Sequence, residues 1–407
     1  MKDKWPALLF LIFSYTVSAQ TNYILRPFPQ HTKYFPGTIK SNNASQAQLD
    51  AQVLDFYIQW KKRFVKTIPG KQQSYVSFEN IDNKQCVSEG QGYGMIITAF
   101  MAGKNDNAKE IYDNMFRYCR AHPTAKSRYL MAWAQSKTGK DLDKTSATDG
   151  DMDIAWSLLI ADKQWGSNGA INYLQEARDM LADVMKYEIN QKTWSVLLSD
   201  AVEYDSKDYY AMRSSDFMPA HFKAFKQVTN DERWGKVIVA NYKLFISLQN
   251  KYSPEAGLLP DFIVNINKQA KPAPANFLES KYDGYYNYNA CRIPWRIATD
   301  YLLTGDDHAK TITNKINRWI RETSANKPDN ISAGYTLNGD DIKGRNFEAL
   351  SFITPFAVSA MVDTKNQQWL DNLWNYLTAF NLKDFDYYDN TVKLLNMIII
   401  SGNYYNY

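Results

Sequence analysis

The chain has 407 residues, 45% of them hydrophobic, enough for one large domain or two ordinary ones with a sizeable core. The formal charge of +4 is small and no basic run suggests nucleic acid, and the 18 glycines are few enough to favour helices over a Gly-rich β architecture. Aromatic residues reach 14%, with 28 Tyr and 11 Trp; such side chains fill cores and also form flat platforms on which sugar rings stack.

The first residues read as a secretory signal: Lys2 and Lys4 supply positive charge, Ala7 to Tyr15 is apolar, and Val17-Ser18-Ala19 offers small residues for cleavage before Gln20. The expectation is a secreted or periplasmic protein cut after Ala19, with one domain from residue 20 to 407. The apolar run is too short to span a bilayer comfortably, and no later segment is long enough either. No Cys follows the cut, so a lipid anchor there is not expected. Cys86, Cys119 and Cys291 are an odd set, leaving at least one thiol free or paired between chains. Their spacing fits no zinc motif and the four His are scattered, so neither a metal nor another cofactor is expected.

Helical periodicity recurs along the chain. In 46–66 the apolar positions Leu49, Val53, Phe56, Tyr57, Trp60 and Phe64 share one face. Similar stretches fall at 90–103, 106–119, 127–136, 150–162, 170–186, 216–227, 231–249, 288–303, 307–321, 347–361, 367–379 and 390–401. Period-two alternation is rare and no repeat is visible, so a closed helical fold is expected rather than a solenoid. The longest irregular piece, 251–287, holds Pro254, Pro260, Pro272 and Pro274; long loops inside a compact domain are often functional.

Three segments carry candidate chemistry. In Ala147–Trp165, ATDGDMDIAWSLLIADKQW, Asp149, Asp151 and Asp153 alternate just before an apolar run. Like charges so close repel and are costly to bury, so they mark either a helix cap or a polar cleft at a helix end. In Val87–Met95, Glu89 is followed by glycines at 90, 92 and 94, which would let a bulky substrate approach; a Ser-Glu helix start reads the same way. The third runs from Asn276-Phe277-Leu278-Glu279 through Asp283 and four Tyr to Asn289-Ala290-Cys291-Arg292-Ile293-Pro294-Trp295-Arg296, a carboxylate-bearing loop that also reads as aromatic packing. Together they place carboxylates in Gly- and aromatic-rich settings with no metal or phosphate motif, the requirement of glycoside hydrolysis: one carboxylic acid to protonate the leaving oxygen and one carboxylate to activate water or attack the sugar.

At these residues the chain resembles glycoside hydrolase family 8. ATDGDMDIAWSLLIADKQW fits the signature A-[ST]-D-[AG]-D-x-x-[IM]-A-x-[SA] with the aliphatic run, Ala and Trp that follow it, VSEGQGYGM is similar to the segment holding the general acid, and YNACRIPWR is similar to a Tyr-Asp-Ala-x-Arg segment. Leu130-Met131-Ala132-Trp133 and Arg213-Ser214-Ser215-Asp216-Phe217 are also family-like. The resemblance covers nearly the whole mature chain. It implies an all-α (α/α)6 toroid, a groove across one end, and an inverting mechanism. Carried over, Glu89 is the general acid, Asp149 holds and distorts the sugar, and Trp133 and Arg292 contact substrate, with Asp151, which supports the site, and Tyr288, Asn289 and Trp295 counted among the substrate-binding residues.

One departure matters. Many members carry their base, an Asp, where this chain has Asn289, and a neutral amide cannot take a proton from water. A branch that includes chitosanases and lichenan-cleaving enzymes is similar to this chain here, with Asn in the motif and a Glu base on the preceding loop. Glu279 stands in that place, Asp283 competes with it, and a site without a base is the third option. The expectation is a monomeric endo-β-1,4-glycanase acting on chitosan or a β-glucan such as lichenan or cellulose. The alternatives are an endo-xylanase of the same family and a carbohydrate-binding protein on a decayed scaffold.

Overall fold

A computed structural model describes residues 24–103 and 106–407. The expected signal segment, 1–19, lies outside them. Twelve α-helices run through the described residues: α1 (Gln46–Phe64), α2 (Ser88–Phe100), α3 (Ala108–Ala121), α4 (Thr148–Trp165), α5 (Tyr173–Tyr187), α6 (Pro219–Thr229), α7 (Arg233–Tyr252), α8 (Ile293–Thr304), α9 (Asp307–Thr323), α10 (Leu350–Ala360), α11 (Gln367–Ala379) and α12 (Tyr387–Ile400). The even-numbered helices pack in the order α2, α4, α6, α8, α10, α12 and back to α2, closing a ring. Each odd-numbered helix packs outside on an inner neighbour. This is the expected all-α (α/α)6 toroid.

Composition sorts the two rings. Inner helices are surrounded by protein and read as apolar or small on every face: all of α10 is buried, and every residue of α2 except Glu89. Outer helices keep one apolar stripe. In α9 it comprises Ala309, Ile312, Ile316 and Ile320, and Asp306 caps the helix by accepting from the N–H groups of His308 and Ala309.

The expected helix at 127–136 is not formed. The backbone of this segment bonds to its neighbours instead, Ala132 N–H to His122 O at 2.8 Å and Trp133 N–H to Thr145 O at 2.9 Å. The segment ends in strand β4 (Ala134–Ser136), antiparallel to β3 (Lys84–Val87). Its apolar residues Leu130, Met131 and Ala132 are buried, but in an extended chain rather than along a helix face. β1 (Val65–Thr67) pairs with β2 (Ser74–Val76), and β5 (Met212–Arg213), β6 (Phe262–Val264) and β7 (Lys271–Pro272) form a third small sheet. β3 runs straight into α2, and β5 leads towards α6.

Two glycines set the spacing of α2 and α4. A Cβ on Gly92 would lie 2.8 Å from Asp153 Cβ, and one on Gly150 only 2.7 Å from the backbone carbon of Ser88. The helices approach this closely because neither residue has a side chain, and Glu89 and Asp149, each adjacent in sequence to this contact, are brought to one mouth of the ring. Gly150→Ala is expected to cost about 1–3 kcal/mol through overpacking and to lower turnover along with the unfolding midpoint. Denaturant titration and initial rates check this, and an unchanged midpoint would contradict the close-packing account.

Candidate active site

Glu89 lies in the first turn of α2, Asp149 in the first turn of α4, and Arg292 immediately before α8. Several inner helices thus bring their N-terminal ends to one mouth, where the helix dipole favours negative charge. The aspartates of α4 are not its cap: the capping residue is Ala147, with no side-chain cap bond. They diverge. Asp149 faces the cavity, Asp151 points into a buried carboxyl cluster, and Asp153 pairs with Arg296 at 2.5 and 2.8 Å and with His221 at 3.1 Å.

Arg292 is the hub. Its side chain is 2% exposed. Nη1 donates to Asp149 Oδ2 at 2.9 Å and lies 3.0 Å from Glu89 Oε1, while Nη2 donates to Ser215 Oγ and Asn289 Oδ1, each at 2.8 Å. Nη1 also reaches the Tyr93 hydroxyl at 3.3 Å. Burial pushes the Glu89 carboxyl above its ordinary range against the pull of Arg292, and the charge of Asp149 adds to the rise. Glu89 Oε1 has no hydrogen-bond partner. Burial acts the same way on Asp149, but Arg213 and Arg292 outweigh it and hold that carboxyl below the usual range.

Glu279 joins from the loop before α8. Arg213 Nη2 donates to Oε1 at 2.9 Å and Asn289 Nδ2 to Oε2 at 2.7 Å, and the side chain remains 43% exposed. Asn289 therefore links two charges. Its oxygen must face the donor-only guanidinium, which leaves its nitrogen to donate to Glu279. Asp283, the local competitor, is fully buried and accepts from the N–H groups of Leu278, Glu279 and Ser280 at 2.7, 3.0 and 2.8 Å. It shapes the loop and does not face the cavity, which corrects its standing as a candidate base.

A cavity of about 370 Å³ is lined by Glu89, Trp133, Asp149, Glu279, Tyr288, Asn289 and Arg292, with Phe78, Lys84, Arg213 and Tyr388 completing the wall. A second, of about 660 Å³, shares Trp133, Ala147, Arg213 and Glu279 with it and extends past Leu198, Val202 and Leu278. The two form one groove, with the half-buried Trp133 at their junction and its Nε1–H donated to Asp143 at 2.7 Å. Two sequence-based placements are corrected. Trp295 is 3% exposed and packs on Tyr93 and Arg296, with ring centroids 5.7 Å apart in the Tyr93 pair, so it belongs to the core. Asp151 is fully buried and accepts from Met131 N–H at 2.8 Å, so it supports the site from behind and does not touch substrate.

Arg213, Lys84, Phe78 and Tyr388 were missed. Arg213 lay inside a segment already singled out, with nothing to say which way it pointed. The other three carry no local signal. The three Cys are buried and free, and among the described residues no group of three or more His, Cys, Asp or Glu could hold a metal ion. No helix of the described residues is long and apolar enough to cross a membrane.

A buried carboxyl raised above its usual range, a second held by donors in the same cavity, and a groove with aromatic walls at the mouth of a double helical ring define a glycoside hydrolase. Residues 28–402 match the family described as glycosyl hydrolases family 8. The β-glucanase of Niallia circulans is 44% identical over 383 residues, covering 94% of this chain and 92% of that one. The endoglucanase of Bacillus sp. (strain KSM-330) is 38% identical over 392 residues, covering 94% and 82%. The apo structure of the β-1,3-1,4-glucanase from Paenibacillus sp. X4 superposes with a TM-score of 0.90 at 43% identity, covering 94% of this chain and 100% of that one. The chain belongs to glycosyl hydrolase family 8.

The cluster behind the site makes stability depend on pH. Burial raises Asp151 to about 8 and drives Glu188 well up, the charge of Asp151 adding to the rise of Glu188. The unfolded chain releases a proton near the ordinary carboxylate value that the folded chain retains, so this contribution falls as pH rises from about 4 to about 8, by up to about 1.4 kcal/mol per unit and site. Asp151→Asn is expected to flatten that slope. Urea midpoints at pH 5 and pH 8 measure it, and equal slopes for variant and wild type would count against a buried protonated pair.

Proposed function

We propose that the protein is an exported, inverting endo-β-glycanase that cleaves a β-1,3-1,4-linked glucan within the chain. The names of the relatives at 38–44% identity support a β-glucan as substrate. The observation that carries the mechanism is the contact of Asn289 with Glu279, since it supplies a carboxylate where the usual base residue is an amide.

In this reading the glucan lies along the groove with the scissile sugar against Asp149, which is held ionised by Arg213 and Arg292. Glu89, whose carboxyl is raised by burial, gives its proton to the departing oxygen. Glu279 takes a proton from water as that water attacks the anomeric carbon from the opposite face. The bond to the leaving oxygen breaks as the bond to water forms. Glu89 ends as carboxylate and Glu279 as acid, and solvent exchange restores both. The donors on both Glu279 oxygens aim the carboxylate without burying it. Cleavage at residue 19 would leave one catalytic domain from residue 20. The decayed-scaffold alternative rested on Asn289, and the neighbouring Glu279 weighs against it.

Glu89→Gln and Glu279→Gln are each expected to lower kcat on mixed-linkage glucan by about 10²- to 10⁴-fold while leaving oligosaccharide binding by calorimetry intact. Asp283→Asn, which keeps an acceptor for the loop, should stay within about 10-fold of wild type. Normal turnover by Glu279→Gln, or a loss in Asp283→Asn as deep as in Glu279→Gln, would reverse the assignment of the base. Asn289→Asp places a second carboxylate against Glu279 and should depress activity. Adding Glu279→Ala to it tests whether the new carboxylate can take over.

A further inference from the structure

Lys84 has no part in the mechanism above, yet it stands in the wall of the catalytic cavity. It opens β3, and its ammonium lies 5.4 Å from the centroid of the Trp133 ring and 5.9 Å from that of Phe78. Its side chain is largely covered and, among the described residues, its one ion-pair partner, Asp82, is 3.6 Å away and 76% exposed, a pairing too loose and too wet to cancel the charge. Asp143 is fixed at the indole nitrogen of Trp133 and bonded to Thr145.

The charges lining the cavity decide what this ammonium does. Three cations, Lys84, Arg213 and Arg292, face three carboxyl groups, Glu89, Asp149 and Glu279. Arg213 is paired with Glu279 and Arg292 with Asp149. Glu89 must carry its proton to act. In the competent state the lining charges therefore leave Lys84 as the unbalanced one, beside the aromatic walls where a sugar ring would stack. The wider limb of the groove differs: it carries Glu203 and Asp208, Glu203 lying 3.3 Å from Lys126.

We infer that Lys84 is a specificity-determining residue that makes the Phe78–Trp133 arm of the groove accept neutral glucose units and reject protonated glucosamine units. The inference rests on the hydrolytic reading above and deepens it. A neutral sugar against Trp133 offers hydroxyl oxygens to the ammonium, whereas an amino sugar would bring a second cation to it in a partly desolvated cleft, where like charges cost far more than in water.

The test compares kcat/KM on highly deacetylated chitosan and on mixed-linkage β-glucan for wild type, Lys84→Gln and Lys84→Glu, in one buffer and at two salt concentrations. The chitosan-to-glucan ratio should rise from wild type through Gln to Glu, by on the order of 10-fold or more in total, and the gain should shrink with added salt. A ratio that does not move in Lys84→Glu, or a wild type as efficient on chitosan as on glucan, overturns the inference. The same substitutions in the Glu89→Gln background, titrated with cellotetraose and with chitosan tetramer, give the selectivity from binding alone. A wild type that cleaves neither polymer would refute the hydrolytic reading, and the binding ratios would still decide the role of Lys84.

Discussion

The site depends on where one buried positive charge is placed. The guanidinium of Arg292 is almost wholly withdrawn from water and must be compensated by groups that converge on it from α2, α4 and the segments before α6 and α8. That requirement ties together four parts of the chain far apart in sequence. It also separates two neighbouring carboxyl groups chemically. Asp149 receives a direct hydrogen bond and the help of Arg213 and stays ionised, while Glu89 lies alongside, unbonded at Oε1, and is left to burial. A pair of similar side chains is thus pushed in opposite directions, Glu89 above the ordinary carboxylate range and Asp149 below it. Through Asn289 the same guanidinium reaches Glu279, so the proposed acid, the proposed sugar-holding residue and the proposed base share one reference point.

The fold makes this convergence possible at low cost. Inner helices that close a ring direct several N-termini to one mouth, and the glycine contact between α2 and α4 lets two carboxyl-bearing first turns come close. The price is a set of buried polar residues below the cavity. Arg296 neutralises Asp153 with the His221 ring beside it, and burial favours the protonated forms of Asp151 and Glu188. These layers explain why an alternating aspartate run can sit in a core: only Asp149 faces the cavity, Asp153 is paired with Arg296 behind it, and burial suppresses the charge of Asp151, whose Oδ1 accepts from Met131 N–H.

The helical class and most element positions were legible because amphipathic outer helices repeat their apolar residues every three to four positions. The failure at 127–136 has the same root: apolar spacing there reports burial, and only the partners of the backbone, His122 and Thr145, reveal an extended chain. Glu89, Asp149 and Arg292 were legible through motifs. Glu279 was legible only as a place in a loop, and its separation from Asp283 needed the three backbone N–H groups that converge on Asp283. Trp295 was misplaced because a Trp at a helix start reads alike whether it faces a groove or a core. Lys84 and Tyr388 enter the cavity from strand β3 and helix α12, distant elements that no local pattern connects to it.

The central claim is that Glu89 and Glu279 act together on opposite faces of the sugar in a single displacement. Proton NMR of the anomeric region during the first minutes of mixed-linkage glucan hydrolysis tests it most directly. The account predicts that the new reducing end appears first as the α anomer and then mutarotates towards equilibrium. A β anomer formed first would mean retention, and with it a covalent intermediate that this arrangement of acid and base does not provide.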